Sequence, residues 1–363
     1  MGPDGPYLPD RLRPAETPPP VVRVLDLDDR ATVAAWDRFV ETTPEATFFH
    51  RTGWKRAIEG AFGHRCHFLY AEDARGIRGV LPLTHIRSPL FGNALLSNAF
   101  AVLGGPACRD GAARDALDTA ALDLACRLGA GMLEYRLRGR ERPDWPCEDT
   151  LYASFRRTLH EDPERNLKAI PRKQRAVVRK SLENGLTARA DDDVDLLHRI
   201  YAESVRNLGT PVFPRRWFRA LRDAFPGDCD VVSVHDGRQA VAAVLNFRFR
   251  DEVLPYYGGG TRAARTSGAN DRMYWEVMAR AAARGYRVFD FGRSKRGTGA
   301  FAFKKNWGFE PAPLAYEYRL FGRAERPQTN PTNPRYRLLV AAWRRLPLPL
   351  ANTIGPWIAR DLG

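Results

Sequence analysis

Apolar residues recur at helical spacing in two stretches of the chain, one in each half. The two stripes are Leu117, Ala121, Leu124 and Leu128 in the first half, and Tyr274, Val277, Met278 and Ala281 in the second. Each stripe gives a helix one apolar face to lay on a sheet. In both halves the helix follows a glycine-rich turn, ends at a glycine and precedes a short apolar strand with one acidic residue. The pattern predicts the same helix–strand unit twice.

The two units are related by a constant offset of 156 residues. The matched pairs are Gly104 with Gly260, Gly129 with Gly285, Glu134 with Asp290, and Tyr135 with Phe291. Upstream of each unit, 'ARGIRGVLPL' and 'DGRQAVAAVLNF' both predict a turn followed by a strand. Such a repeat predicts an α/β (α+β) protein with two tandem domains, each a mixed sheet flanked by helices.

The length of the chain suits two domains, each with its own core. We expect a disordered, proline-rich arm at 1–20, a first domain at 21–150, a second domain at 151–321 and a basic amphipathic tail at 322–363. The tail carries seven arginines against two acidic residues. Two outcomes are open for it: attachment to the inner face of the cytoplasmic membrane, or packing on the first domain.

Charge and cysteine usage narrow the class of protein. A net charge of +14 and a pI near 9.9 favour polyanionic partners, although a solvated basic surface has the same charge. Five cysteines without a C-x-x-C pair argue against a disulfide framework and indicate a reducing cytoplasm. No apolar run is long enough to span a membrane, so we expect a cytoplasmic protein that at most lies peripherally on the inner membrane. His64 and His67 point to opposite faces of a predicted strand, so we expect no metal site.

A basic glycine loop follows the strand 'EVLPYYGG' in the second half and leads into a helix. Free backbone N–H groups at the helix start, with Arg262 and Arg265 beside them, form a candidate site for the phosphates of a donor. Gly268 and Asn270 belong to the same loop. The alternative is an ordinary loop in which Asn270 is the helix N-cap.

The strand after this helix carries Asp290, a candidate general base that would take a proton from an attacking amine. The matching residue of the first half is Glu134, although no basic glycine loop precedes it there. An acid present in both halves favours a structural role, since a polar group near a core needs a partner. Both roles stay open.

The helix that follows, within 'GTGAFAFKKNWGFEP', contains two adjacent lysines. Phe303 and Trp307 share its predicted buried stripe, because residues four apart lie on one face. Lys304 then lies at the margin of the stripe, within reach of a cleft, and Lys305 faces water. Lys304 is the candidate for supporting an oxyanion.

Three further residues are candidates for binding. Tyr256 and Tyr257 alternate on the strand before the glycine loop, so one is expected to face a ligand and the other the core. Arg206 lies near a helix end, where it either binds an anion or simply interacts with the helix dipole.

Several segments together resemble the FemAB family. They are 'KQRAVVRKSLENG', 'YAESVRNLGTPVFP', 'YYGGG', 'NDRMYWEVM', 'FDFGRSKRGTGAFAFKKNWGFEP' and 'NPTNPRYRLLVAAWRRLPL'. The likeness is greatest to the branch associated with the PEP-CTERM/exosortase (XrtA) system of exopolysaccharide-producing Gram-negative bacteria, and it covers nearly everything after Val21. It implies a pair of GNAT-like domains, the second also described as BioF-like. The spacing of Arg265, Gly268 and Asn270 is likewise close to the GNAT pyrophosphate loop R-x-x-G-x-[GA], except that Asn270 replaces the last small residue.

The resemblance also implies roles for single residues. The matching positions are Lys304 after Phe303, Arg206, Tyr256 or Tyr257, and, more loosely, Lys55 after Trp54. In the family, the lysine after the phenylalanine supports the transferring acyl group. The arginine and the tyrosine hold the phosphates and peptide of the acceptor.

The resemblance implies an acyl- or aminoacyl-transferase that forms an amide on an amine of a cell-envelope or exopolysaccharide precursor. We expect no tightly bound cofactor, and aminoacyl-tRNA or acyl-CoA as the donor. The expected partners are an anionic or lipid-linked acceptor, tRNA, and the inner-membrane surface through the tail. Two alternatives stay open: an acyl-CoA-dependent N-acyltransferase, and a non-catalytic basic module that binds at the membrane surface.

Overall fold

The structure is a computed structural model that describes residues 19–89, 92–322 and 334–363. The predicted N-terminal arm lies outside these ranges except for residues 19 and 20, as does the part of the predicted tail at 323–333. None of the helices in the described ranges combines the length and apolarity needed to cross a bilayer.

The first sheet is built mostly from the first half of the chain. Its strands are β1 (Val21–Val24), β2 (Arg65–Asp73), β3 (Gly76–Ser88), β4 (Gly92–Ser97), β5 (Ala107–Cys108), β6 (Met132–Leu137), β7 (Cys147–Glu148) and, from late in the chain, β15 (Ala315–Leu320). Their spatial order is β1-β2-β3-β4-β6-β15-β7, with β5 beside β3. The described pairs are antiparallel except for β4 with β6.

The second sheet repeats this arrangement. Its strands are β8 (Tyr152–Thr158), β9 (Thr187–Asp191), β10 (Cys229–Asp236), β11 (Gln239–Phe249), β12 (Glu252–Gly260), β13 (Val288–Lys295) and β14 (Pro311–Pro313). The spatial order is β14-β8-β13-β12-β11-β10-β9. Here β12 and β13 form the parallel pair, as β4 and β6 do in the first sheet.

Twelve helices lie among the described residues. They are α1 (Arg30–Thr42), α2 (Thr52–Phe62), α3 (Gly111–Arg127), α4 (Pro163–Ala169), α5 (Arg172–Glu183), α6 (Val194–Leu208), α7 (Arg215–Ala224), α8 (Ala264–Ser267), α9 (Ala269–Ala283), α10 (Gly299–Asn306), α11 (Pro334–Arg345) and α12 (Leu348–Ala359). The repeated helices α3 and α9 are followed by Gly129 and Gly285, which have φ of 60° and 83°. That left-handed backbone favours glycine and ends each helix as predicted. Mixed sheets flanked by helices confirm the predicted fold class.

One strand crosses between the halves. β8 pairs with β13 in the second sheet, within the predicted second domain, whereas β15 follows the second half but pairs with β6 in the first sheet. The sequence boundary at residue 321 assigns 315–320 to the second domain, so the structure differs at this strand. Alternation along a strand predicts which residues face a core, but it does not predict the sheet edge that the strand joins.

The core is continuous between the halves. Phe48 of the first half stacks on Phe247 of the second with ring centroids 4.3 Å apart, and Trp54 meets Trp217 edge to face at 5.5 Å. All four rings belong to one cluster of buried residues that includes both sheets. Each sheet also has a buried cluster of its own, so the expected separate cores are present, and the aromatic faces of α2 and α7 add a shared cluster that joins the halves.

The C-terminal helices α11 and α12 pack on α6 of the second half. Residues after α12 reach the first half, where the His64 ring bonds the carbonyl of Arg360 at 2.6 Å. Arg136 donates from Nη2 to the carbonyl of Gly363 at 2.7 Å. Residues 360–363 therefore contact the first domain, which was one of the two outcomes left open for the tail.

Candidate active site between the two domains

The parallel strands β12 and β13 diverge soon after they meet. Among the described residues, β12 and β13 pair at only two positions, Glu252 with Val288 and Val253 with Phe289. Beyond these pairs β12 stays with β11 up to Gly260, whereas β13 turns toward β8. A wedge therefore opens in the second sheet on the side of the first domain.

The wedge opens into a narrow cavity between the domains. The second half lines it with Ser154, Glu252, Leu254, Tyr256, Asp290 and Gly292, and the first half with Thr47, Phe48, Phe49, Val102, Leu103 and Arg138. A second cavity of about 200 Å³ shares Thr47, Leu103 and Arg138 with the first and extends toward His50 and Gly104. The two cavities together form the candidate active site.

Asp290 lies at a bulge in β13, where the register with β8 shifts between Asp290 and Arg293. Its Oδ1 accepts a hydrogen bond from the Gly292 N–H at 2.7 Å, and its Oδ2 pairs with Arg156 Nε at 3.1 Å. Gly292 has a φ of 66°. The carboxylate of Asp290 thus stabilises the turn at Gly292, and Asp290 itself is buried at the edge of the cavity.

The side chain of Lys304 in α10 forms hydrogen bonds to the same bulge of β13. Its Nζ donates to the carbonyls of Phe291, Gly292 and Arg293 at 2.6, 3.3 and 3.1 Å. Burial lowers the pKa of Lys304 to about 7, and this effect outweighs the nearby negative charge of Asp290. The prediction that Lys304 reaches a cleft from the margin of a stripe is wrong in this geometry, because all three donors of the ammonium point at β13.

The rest of α10 follows the predicted helical faces only in part. Lys305 is exposed, as predicted. Trp307 is fully buried, and its indole N–H donates to Asp271 at 3.1 Å. Phe303 is only half-buried and packs against Tyr274. A helix of two turns places Lys304, rather than Phe303, deepest against the sheet.

Tyr256 and Tyr257 do not alternate, because β12 carries a bulge between its partners Leu245 and Asn246. A bulge sets two residues against one and turns both toward the same side. Both rings therefore join the aromatic cluster between the domains, and burial raises the pKa of both phenols. Tyr256 lines the cavity and donates to the carbonyl of Phe100 at 2.9 Å. Tyr257 instead accepts from the Trp217 indole at 3.1 Å.

Arg206 and Lys55 lie away from this cavity. Arg206 donates from Nη1 to the carbonyl of Arg344 in α11 at 3.1 Å. Lys55 is buried in the first domain, where its Nζ donates to the Cys66 carbonyl at 2.6 Å and pairs with Glu59 at 2.8 Å. The structure therefore does not bring either residue to the wedge between β12 and β13.

The basic loop after β12 contains the short helix α8 and then Gly268, with a φ of 73°. The backbone N–H of Arg262 bonds the carboxylate of Glu203 at 3.0 Å, so this amide is not free for a phosphate. The side chains of Arg262 and Arg265 are exposed. Asn270 is the second residue of α9, and Gly268 occupies the N-cap position, so the N-cap alternative for Asn270 is wrong.

Sequence reasoning missed three charged residues of the site. Arg156 of β8 joins the two carboxylates, because it pairs with Asp290 and also donates to Glu252. Burial raises the pKa of Glu252. Arg138 lines both cavities and has no acidic partner within the part of the chain that the structure describes. No local motif marks these residues, since β8 and β13 lie far apart in the sequence and meet only in the folded sheet.

The described residues contain no cluster of three histidine, cysteine or acidic side chains that fits a metal ion. The polar groups of the candidate site are two carboxylates, the arginines near them and the open strand edge.

Comparison with known proteins identifies the second half. Residues 167–305 match the family model described as an acetyltransferase (GNAT) domain. This segment, less than half of the chain, is similar to GNAT acetyltransferase domains. The matched segment includes β12, β13 and Lys304, and the match confirms the predicted acyltransferase class. None of the curated proteins compared matches the chain.

Solved structures share most of the fold of this chain. FemX has a TM-score of 0.64 at 14% identity, covering 88% of this chain and 100% of its own. The C-terminal domain of a putative lysylphosphatidylglycerol synthetase from Agrobacterium fabrum gives 0.53 at 12% identity, covering 79% and 91%. A tandem GNAT protein from the clavulanic acid biosynthesis pathway gives 0.51 at 14%, covering 84% and 99%. At these identities the likeness establishes a tandem GNAT-like fold.

Proposed function

We propose that the protein forms an amide by moving an acyl or aminoacyl group from an activated donor to an amine of a cell-envelope or exopolysaccharide precursor. The observation that carries this proposal is the divergence of β12 and β13, which opens the GNAT-matched segment onto a cavity lined by two carboxylates. The structural likeness to FemX and to a putative lysylphosphatidylglycerol synthetase supports aminoacyl transfer in the cell envelope.

The donor side of the site is the open edge of β12. The Thr261 N–H bonds the Val241 carbonyl of β11 at 2.8 Å. Successive N–H groups point to opposite edges of a strand, so those of Gly258 and Gly260 point away from β11 and into the wedge. These amides lie roughly 20 Å or more along the strand from Glu252, and we propose that they bind the part of the donor between its phosphates and its acyl group.

The basic loop lies at the end of the same strand. Its exposed arginines, Arg262 and Arg265, have no acidic side chain paired with them among the described residues, and they are the proposed contacts for donor phosphates. Gly268 shapes the turn between them and α9, and Asn270 follows in the first turn of that helix. Either aminoacyl-tRNA or acyl-CoA presents phosphates that this loop would bind.

The acceptor side is the cavity of Glu252 and Asp290. The two carboxylates attract an ammonium, and Glu252, whose pKa is raised by burial, is the base that we propose to take up its proton. The neutral amine attacks the acyl carbonyl, the ester C–O or thioester C–S bond breaks, and the leaving hydroxyl or thiol takes a proton. Asp290 and Lys304 are positioning residues in this scheme, because both hold the bulge of β13.

An acyl-CoA donor is the second candidate, and the GNAT match favours it, since that fold generally uses acyl-CoA. The prediction of the PEP-CTERM/exosortase branch bears on the acceptor and stays a prediction. The match to an acetyltransferase domain favours catalysis over a non-catalytic basic module.

The test separates the donors directly. The purified protein is incubated with labelled acetyl-CoA or with labelled aminoacyl-tRNA, together with an acceptor fraction from cells that lack the protein, and products are identified by mass spectrometry. We expect label in an amide with one donor, and loss of that product for the variant Glu252→Gln. If neither donor is consumed with any acceptor fraction, the proposal is wrong.

A further inference from the structure

The helix α12 buries small residues and exposes large apolar ones. On the side that faces α6 and Val212, Ala351 and Ala359 are 2% and 1% exposed, and Gly355 is also buried. A Cβ added at Gly355 would lie 3.1 Å from the backbone nitrogen of Val212, so the two segments approach closely. Small residues permit this contact.

The opposite side of α12 carries a stripe of Leu350, Ile354 and Trp357, which are 44%, 39% and 73% exposed. Their spacing of four and three residues places them on one face of a helix with 3.6 residues per turn. Water-facing helices normally put polar residues there. This helix has no charged residue between Leu348 and Ala359. An apolar outer face on a helix that already buries its inner face indicates a contact outside the chain.

The preceding helix extends this surface. Leu338 and Leu339 of α11 are 82% and 64% exposed, while Val340 lies beside Gly209 of the protein body. We call the outward residues Leu338, Leu339, Leu350, Ile354 and Trp357 the apolar ridge. Both helices therefore expose large apolar side chains on the side away from the body.

Positive charge flanks the apolar ridge. Arg344 and Arg345 are exposed at the end of α11, just before α12, and Arg360 follows α12 directly. Residues 334–363 contain five arginines and one aspartate. Apolar side chains framed by arginine fit the interface of an anionic bilayer, where the former enter the acyl boundary and the latter contact lipid headgroups. A tryptophan also suits that depth.

We propose that the apolar ridge docks on the surface of an anionic lipid bilayer while the inner faces of α11 and α12 stay on the protein. This proposal does not depend on the donor or acceptor of the acyl transfer. Packing of the tail on the body and contact with a membrane, which the sequence presents as alternatives, are then two faces of the same helices.

The experiment uses the full chain and sedimentation with vesicles of phosphatidylcholine alone or mixed with phosphatidylglycerol. The test variant combines Leu350→Ser, Ile354→Ser and Trp357→Ser, and the control combines Val177→Ser and Leu182→Ser, which are exposed apolar residues of α5. We expect the wild type and the control to bind the anionic vesicles, and the test variant to bind about tenfold or more weakly. Arg345→Gln should weaken binding to anionic vesicles only. Equal binding by all variants overturns the proposal.

A second measurement keeps the test valid if the triple variant unfolds. Brominated lipids quench tryptophan only at short range, so the difference in quenching between the wild type and Trp357→Phe reports on Trp357 alone. Quenching that Trp357→Phe removes supports the proposal, and no difference overturns it. Light scattering tests the other possible occupant, a second copy of the chain. If the wild type is a dimer that does not bind vesicles, and the triple variant is a monomer, then a second copy covers the ridge and the proposal is wrong.

Discussion

Lys304 donates a hydrogen bond to the carbonyl of Phe291 at 2.6 Å, and this bond is one of three that tie α10 to the bulge of β13. The family resemblance assigns this lysine to the acyl group, but its side chain does not line the cavity and instead contacts β13, which does. It acts on the site by fixing the strand that carries Asp290. Two predictions on Lys304 follow from this arrangement.

We expect Lys304→Ala to lower the free energy of unfolding by about 1–3 kcal/mol, because buried carbonyls lose their donor. Urea denaturation measures this change. Lys305→Ala is the matched control, since Lys305 is exposed on the same helix, and it should behave like the wild type. Wild-type stability of Lys304→Ala, together with a loss of turnover, would show instead that Lys304 acts on the substrate.

The lowered pKa of Lys304 predicts a pH dependence of stability. Burial brings its pKa from 10.5 to about 7 in the folded protein, so unfolding takes up a proton between these values. The free energy of unfolding of the wild type, relative to Lys304→Met, should therefore rise from pH 7 toward pH 10, by at most about 1.4 kcal/mol per pH unit. Denaturation of both proteins across this range measures the difference. A difference that stays constant with pH would mean that the ammonium keeps an ordinary pKa.

Tyr256 and Tyr257 form a matched pair of bulge residues that differ in their contact with the cavity. Tyr256→Phe removes the bond to the Phe100 carbonyl and one polar atom from the cavity, so we expect both a loss of about 1 kcal/mol and a lower turnover. Tyr257→Phe removes only an acceptor of the Trp217 indole and should lower stability with little change in turnover. Chemical denaturation and steady-state kinetics with the active donor distinguish them. Equal kinetic effects would contradict the assignment of Tyr256 to the cavity.

Asp290→Asn separates a positioning role from that of a general base. Because the carboxylate accepts from Gly292 and pairs with Arg156, we expect a lower melting temperature and a loss of turnover that is smaller than that of Glu252→Gln. A general base would show the opposite result, a loss of about a hundredfold or more in turnover at an unchanged melting temperature.

Arg206→Ala should loosen the C-terminal helices. The Arg206 guanidinium bonds the carbonyl of Arg344, and Arg344 Nη2 bonds the carbonyl of Leu208 at 3.2 Å, so each arginine satisfies the end of the other helix. Hydrogen exchange of residues 334–345 should accelerate in this variant. Arg199→Ala, an exposed position of α6, is the control. If exchange is unchanged and only acceptor binding weakens, the role implied by the family resemblance is the correct one.

The periodicity of the sequence was enough to predict the repeated helix–strand unit. The helical stripes, the glycines at 129 and 285 and the acid on each following strand lie close together along the chain, so local patterns predict them. The same patterns failed at Tyr256, Tyr257 and Lys304. A bulge breaks the alternation of a strand, and neither the bulge nor the depth of a short helix has a local signal.

The sequence by itself determined two α/β units, a basic surface and an acyltransferase-like second half, because these depend on local spacing, composition and motifs. Only the tertiary structure decided which strand joins which sheet, and that choice places Arg156 between Asp290 and Glu252. It also decided that α12 turns its small residues inward, because close packing against Val212 leaves little room for a larger side chain at Gly355. Both outcomes depend on contacts between residues far apart in the chain, which no local pattern contains.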